Sequence, residues 1–342
     1  MFFNMLKFGH RNIQEVILFM LKVDITMALV RVTEAAAIRS AKFMGRGDKI
    51  AADQAAVDGM EKAFDLMPVR GTVVIGEGEL DKAPMLYIGQ KVGMNKPDMP
   101  EMDIAVDPLD GTILIAKGSP NAIAVVAMGP KGSLLHAPDM YMKKIAVGAG
   151  AKGAIDIDKS VAENVISVAK ALNKDVTELT VVVQERERHD YIVQEARDIG
   201  ARVRLFGEGD VATILACGFE ESGIDLFMGI GGAPEGVIAA TAIKCMGGEM
   251  QARLMPYSEE EKIRCKSMGI EDVNKTLNID DLVKSDDVLF AATGITDGDL
   301  LKGVSYSKRR FATTHSIVMS SETGVVRFVE GRHDLSKSEL VI

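Results

Sequence analysis

The chain has 342 residues, 47% hydrophobic and 26% charged, enough for one large or two medium domains with a sizeable core. A formal net charge of −9, from 40 Lys+Arg against 49 Asp+Glu, argues against a broad basic face for nucleic acid. An anionic substrate would have to be met by local arginines or bound cations.

The first 22 residues, "MFFNMLKFGHRNIQEVILFMLK", read as a loosely attached extension, with Met20 or Met27 as alternative starts to Met1. No run in the chain approaches the ~20 apolar residues of a membrane span. Residues 24–44 carry apolar positions at helical spacing, "GRGDK" interrupts, and a second helix runs over 50–67 to Pro68. Residues 71–80, "GTVVIGEGEL", predict a strand entering a Gly-rich corner, and "MDIAVDPLDGT" (102–112) repeats that design. Residues 121–150 predict two or three antiparallel strands with Pro-Gly-type turns.

From about residue 158 the pattern changes. Helices over 160–173, 189–200, 210–219 and 234–248 alternate with strands over 178–183, 201–206 and 223–230, which predicts parallel βαβ units. From about 286 the tail returns to strands, a meander that could rejoin the first half. The expected division is an extension (1–22), an α+β metal-binding domain (23–158, completed by 288–342) and an α/β substrate-binding domain (159–287). Cys217, Cys245 and Cys265 form no C-x-x-C pair, against a disulfide framework or zinc knuckle and in keeping with a reducing cytoplasm.

The candidate chemistry lies at the corners. Asp107 and Asp110 in "AVDPLDGT" could be turn residues bonding nearby amides. Glu77 and Glu79 in a second corner, and Thr112 beyond Asp110, add oxygen donors suited to hard cations such as Mg²⁺ or Mn²⁺. Two such ions ~3.5–4 Å apart could clamp both oxygens of an in-line phosphoryl displacement. Asp48 stands where a helix N-cap should. Glu235 in "GIGGAPEG" could equally be a first-turn glutamate favoured by the helix dipole. That Gly-rich run is not a dinucleotide fingerprint, since Pro234 holds the third glycine's place, but its amides suit an anion.

Three consecutive strands end in "QERERHD", "GEGD" and "GIGGAPEG", so their ends should share one rim of a parallel sheet. There Arg186 and Arg188 could fork onto a phosphate, unless they are a solvated charge run. Asp210 could accept from sugar hydroxyls. His189 reads as a helix-start residue.

"DPLDGT" behind a Gly-Glu corner resembles the metal signature of the lithium-sensitive sugar-phosphatase superfamily, which includes inositol monophosphatases. "VRVTEAAA", "GRGDK", "GTVVIGEGELDKAPMLYIG", "APDMYMKKIAVG", "GIGGAPEGV" and "RCKSMGI" resemble class II (GlpX-type) fructose-1,6-bisphosphatases more closely, from about Asp24 to the last strands. The resemblance implies a layered α/β/α/β sandwich, a homodimer or homotetramer, and two or more Mn²⁺ or Mg²⁺ per site. It implies Asp48 and Glu77 on one metal and Asp107, Asp110 and Glu235 on the other, with Thr112 orienting and deprotonating the attacking water, linked to Asp48 or Glu77. Substrate contacts would fall on Asp110, Gly111, Thr112, Tyr141, Arg186, Arg188, Asp210 and Gly232, with Glu187, Glu208 and Gly209 in the same runs.

Three places depart from the family: Arg186-Glu187-Arg188-His189 stands for Lys/Arg-Pro-Arg-His, Glu208-Gly209-Asp210 for Asp-Gly-Asp, and Asp110 stands where some class II members carry Glu. They leave fructose-1,6- and sedoheptulose-1,7-bisphosphate open as substrates. The implied reaction is metal-dependent hydrolysis of the 1-phosphate. An inositol monophosphatase or nucleotide phosphatase, and a non-catalytic sugar-phosphate sensor, are the alternatives.

Overall fold

The computed structural model describes residues 13–78, 85–308 and 310–337, with residues 13–24 as backbone only. The chain opens with α1 (Ile13–Ser40) and α2 (Lys49–Phe64), joined by a short turn and the GRGD loop. Residues 13–22, expected as a loose extension, continue α1; residues 1–12 lie outside the described residues. Next come β1 (Arg70–Ile75), β2 (Lys91–Val92), β3 (Glu101–Asp110), a short α3 (Thr112–Lys117), β4 (Ile123–Pro130) and β5 (Tyr141–Val147). The alternating stretch gives α4 (Val161–Ala171), β6 (Thr180–Gln184), α5 (Asp190–Asp198), β7 (Arg202–Phe206), α6 (Asp210–Ala216), β8 (Leu226–Gly232) and α7 (Ala233–Cys245). Then follow β9 (Glu249–Leu254), α8 (Glu259–Ser267), β10 (Leu277–Asn278) and α9 (Ile279–Leu282). The last strands are β11 (Leu289–Gly294), β12 (Ser305–Ser307), β13 (Phe311–Ser320) and β14 (Val325–Asp334).

Two sheets result. The first runs β12-β13-β11-β4-β3-β1-β2, with β14 along β13; only β1 and β3 are parallel. The second runs β10-β9-β5-β8-β6-β7. Its parallel part is β8-β6-β7, as the alternation predicts, but β5, β9 and β10 extend it antiparallel. Strand β5 reads in the sequence with the strands of the first half and pairs instead with β8 and β9, far along the chain. The tail joins the first sheet through β11, which pairs with β4 and β13.

Period-two alternation assigns the faces. Ile104, Val106, Ala124, Val126 and Met128 pack under α1 and α2, while Ala105, Ile123, Val125 and Ala127 face a second core shared with α6, α7 and the second sheet. Each large side chain fully buried this way contributes about 1.5–3 kcal/mol. Helix α7 is apolar all round and rich in alanine because it lies between the two sheets. The far face of the second sheet, through Ile145, Val147, Val181 and Val183, buries against α4. The protein is thus a layered α/β sandwich in which α4 and α5 add an outer helical layer. Among the described residues no helix is long and apolar enough to cross a membrane.

Candidate active site

Asp107 and Asp110 lie three residues apart, so a regular strand would send them to opposite faces. Pro108 has no N–H for the ladder, and the β3–β4 register slips between Asp107↔Val125 and Asp110↔Ile123, three steps against two. This bulge returns both carboxylates to the inner face while Leu109 stays in the outer core. Asp107 accepts from the Leu109 N–H at 3.0 Å, the local turn bond expected of Asp-Pro. Gly111 then takes φ +95° and starts α3, with Thr112 as its first residue.

Both carboxylates open into a cavity of about 560 Å³ where the two sheets meet. Its wall includes Asp53, Glu77, Asp107, Asp110, Gly111, Thr112, Tyr141, Arg186, Arg188, Glu208, Gly209, Asp210, Gly232 and Glu235. Thus most of the residues singled out in the sequence converge on one cavity. Glu187 and Asp48 do not line it, and Glu79 lies outside the described residues.

The structure places Asp48, expected as a metal ligand, at the N-cap of α2. Its carboxylate caps α2, accepting from the Ala51 N–H at 3.0 Å, and it is exposed outside the cavity. Asp53, five residues on and therefore about 140° round the helix, is the α2 carboxylate that reaches the cavity beside Glu77. The GRGD loop itself does anchoring work: Gly45 and Gly47, at positive φ, donate their N–H groups to the Ile115 and Ala116 carbonyls of α3. That bond pair fixes the start of α2 against the helix that follows Thr112. The sequence signal for Asp53 was a lone acid among alanines that pack inward.

The carboxylates of this wall crowd one another away from water. Burial, then Asp53, pushes the Glu77 carboxyl up to about 7. Burial, then Asp210 and Glu235, pushes Asp110 up to about 8, against the Ala212 and Val211 amides at the start of α6 that oppose the shift. Asp107 is raised well above the usual range by burial and then by Asp110, Glu235 and Glu77. Burial raises Glu235 as well, with its own N–H and Lys144 opposing. The α7 N-terminus, expected to receive an anion, thus already faces Glu235.

Among the described residues no three His, Cys, Asp or Glu side chains stand close enough to form a ready ligand shell. The donor set nevertheless fits a hard divalent cation. It is all carboxylate oxygen, its members raise one another's affinity for protons, and Glu235 Oε2 is buried with no hydrogen-bond partner.

The opposite wall is satisfied within the protein. Arg188 donates to the Ile230 carbonyl at 2.8 and 3.1 Å and to Gln184 Oε1 at 2.9 Å, and lies 5.1 Å from the Tyr141 ring centroid. Arg186 approaches Glu208 at 3.9 Å, and Glu208 accepts from the Ile113 N–H at 3.3 Å. His189 stands at the N-cap of α5, the helix start expected of it, and is fully buried. Its Nε2 accepts from the Ile230 N–H at 2.8 Å, so Nδ1 carries the proton donated to the Gln184 carbonyl at 2.8 Å. The imidazole thereby replaces ladder bonds between β6 and β8, which pair only at Val181↔Leu226 and Val182↔Phe227.

Sequence reasoning missed a further residue, Lys144, buried behind this wall. On β5 it shares a face with Met142 and Ala146, both in the inner core, and that apolar–Lys–apolar pattern at every second position was its signal.

Comparison with known proteins places this geometry. Residues 23–333 match the family described as bacterial fructose-1,6-bisphosphatase, glpX-encoded. Fructose-1,6-bisphosphatase 1 class 2 of Escherichia coli (strain K12) is 45% identical over 330 residues, covering 92% of this chain and 97% of the relative. D-fructose 1,6-bisphosphatase class 2/sedoheptulose 1,7-bisphosphatase of Synechococcus sp. is 44% identical over 329 residues, covering 90% and 94%. Among solved structures, the extragenic suppressor protein SuhB from Bartonella henselae is 14% identical, with a TM-score of 0.32, over 56% of this chain and 72% of that one. The last likeness is too slight to bear on the site. The site and the relatives together define a phosphoric monoester hydrolase. The chain belongs to the glpX-encoded bacterial fructose-1,6-bisphosphatase family.

Proposed function

We propose that this protein hydrolyses the 1-phosphate of fructose 1,6-bisphosphate, giving fructose 6-phosphate and inorganic phosphate. Sedoheptulose 1,7-bisphosphate is its second substrate, the reading that the Synechococcus relative's name supports. The observation that carries the proposal is the pairing, across one cavity, of a carboxylate wall short of positive charge with a rim bearing Arg186 and Arg188.

Family membership implies a divalent cation, and we assign two, Mn²⁺ or Mg²⁺, to Asp53, Glu77, Asp107, Asp110 and Glu235. Bound there, they would supply Lewis-acid stabilisation of the phosphoryl oxygens and the leaving alkoxide. The chain's own residues do the rest. Thr112, at the mouth of the Asp110 corner, orients the attacking water through its hydroxyl. The water oxygen bonds to phosphorus as the bond from phosphorus to the sugar O1 breaks, and the proton that the water gives up ends on the leaving alkoxide, so that inorganic phosphate and the free sugar hydroxyl result. Arg188, fixed by the Ile230 carbonyl, and Arg186 hold the distal phosphate; Asp210 accepts from sugar hydroxyls. Positioning of this kind lowers the barrier by removing freedom before the reaction begins. The three buried, unpaired thiols fit the cytoplasm.

The test is phosphate release from fructose 1,6-bisphosphate, sedoheptulose 1,7-bisphosphate and inositol 1-phosphate, with Mn²⁺, Mg²⁺ or chelator. Metal-dependent release favouring the bisphosphates is expected. Release only from the inositol ester would remove the arginine rim from its role, and none from a folded sample would sink the proposal.

A further inference from the structure

Among the buried charged groups that the mechanism leaves unused, one lies beside the cavity. The Lys144 side chain is fully inaccessible and does not line the cavity, yet its ammonium lies against the cavity's carboxylates. Nζ donates to Asp210 Oδ2 at 2.6 Å and to the Gly232 carbonyl at 2.9 Å. Asp210 opens α6, and Gly232 is the residue from which α7 and Glu235 depart. One ammonium on β5 therefore ties together the two helix starts that carry Asp210 and Glu235.

The surroundings are shaped for this tie. A Cβ on Gly231 would overlap Asp210 Oδ2 and stand 3.0 Å from Lys144 Nζ. A Cβ on Gly236 would stand 2.7 Å from Met142 Sδ and 3.2 Å from Lys144 Cδ. A Cβ on Gly232 would overlap Glu235 Oε2. The glycines of "GIGGAPEG" thus make room for the lysine stem and the two carboxylates, a use of those positions distinct from anion binding by their amides.

We propose that Lys144 is a positioning residue: it acts through Asp210, holding one carboxylate oxygen so that the other faces the sugar. Desolvating an ammonium costs several kcal/mol and is offset only by such close partners, so the lysine is costly as mere filler. An apolar residue of similar volume would pack there without that cost. The inference rests on the function proposed above, in which Asp210 contacts the substrate.

The experiment is a double-mutant cycle with Lys144→Met, Asp210→Asn and both, assayed on fructose 1,6-bisphosphate beside the wild type. Lys144→Met is expected to raise KM about tenfold with kcat changed less, and to add almost nothing to Asp210→Asn. Additive losses, or a lower melting temperature with KM unchanged, would overturn the proposal and leave Lys144 a structural residue. Lys144→Gln, which keeps one donor, should fall between wild type and Lys144→Met. If both lysine variants aggregate, positioning is likewise overturned, because a residue needed only to aim Asp210 leaves a foldable chain. Failure of the wild type to release phosphate would instead sink the functional proposal.

Discussion

On one side of the cavity, Glu77, Asp107 and Asp110 are held where burial and mutual repulsion push all three carboxyls upward. On the other, Arg188, His189 and Lys144 are equally desolvated or confined, yet each finds its partners within the chain. The same problem, polar groups away from water, is left open on the first wall and closed on the second. A wall left open is built to receive a cation from outside; a closed wall is rigid before any ligand arrives. On the function proposed above, the difference teaches where binding energy would come from: metal ions on one side, preformed donors on the other.

That contrast can be broken most severely at Asp107. Asp107→Asn should lower turnover by about three orders of magnitude, a barrier increase of roughly 4 kcal/mol. The metal-free variant should melt no lower than wild type, since a repelling charge has gone. A variant with near-normal metal-dependent rates would show that the bulge serves the fold alone.

The two α2 aspartates sharpen the comparison next. Asp53→Asn should cost about a hundredfold in kcat/KM, with the loss shared by a raised metal requirement. Asp48→Ala should instead cost about 1 kcal/mol of stability, the usual value of an N-cap, with turnover nearly intact. Comparable kinetic losses in the two would return Asp48 to the site.

On the closed wall, Arg188→Ala should raise KM for the bisphosphate by ten- to a hundredfold, as removal of a charge-assisted hydrogen bond worth about 1.5–3 kcal/mol implies. The effect on a sugar monophosphate lacking the distal group should be much smaller, and equal changes would take the distal phosphate away from Arg188.

The smallest effect is in stability against pH. Folded carboxyls with raised values bind protons more tightly than unfolded ones, so their contribution is fully present at low pH. It is lost as pH rises from the ordinary carboxylate range through about 7 for Glu77 and about 8 for Asp110. Metal-free protein should therefore melt lower at pH 8 than at pH 5.5, and saturating Mn²⁺ should flatten the slope. A metal-free melting temperature that rises over this interval would contradict the open wall.

Much of this was legible in the chain. Strand alternation in "MDIAVD" and "NAIAVVAM" maps directly onto two cores, because a strand's two faces are fixed by period two. The carboxylate corners were legible because Pro and Gly force the turns that expose them. Sheet membership was not: nothing local in "YMKKIAV" says that β5 pairs with strands some 80 and 100 residues later. Asp53 was not legible because a motif marks the loop that holds Asp48, whereas the helix's 100° step decides which α2 acid faces the cavity. Lys144 stayed hidden because lysine is so rarely buried without a partner, and its partner lies 66 residues away.

The most direct measurement follows the melting of chelator-treated wild type while Mn²⁺ is added at pH 8, with phosphate release from fructose 1,6-bisphosphate read on the same samples. The account predicts that stabilisation and turnover appear together over one range of Mn²⁺, and that both vanish in Asp107→Asn. Turnover that persists in chelator, or melting indifferent to the metal while activity remains, would contradict the cation-receiving wall on which the account stands.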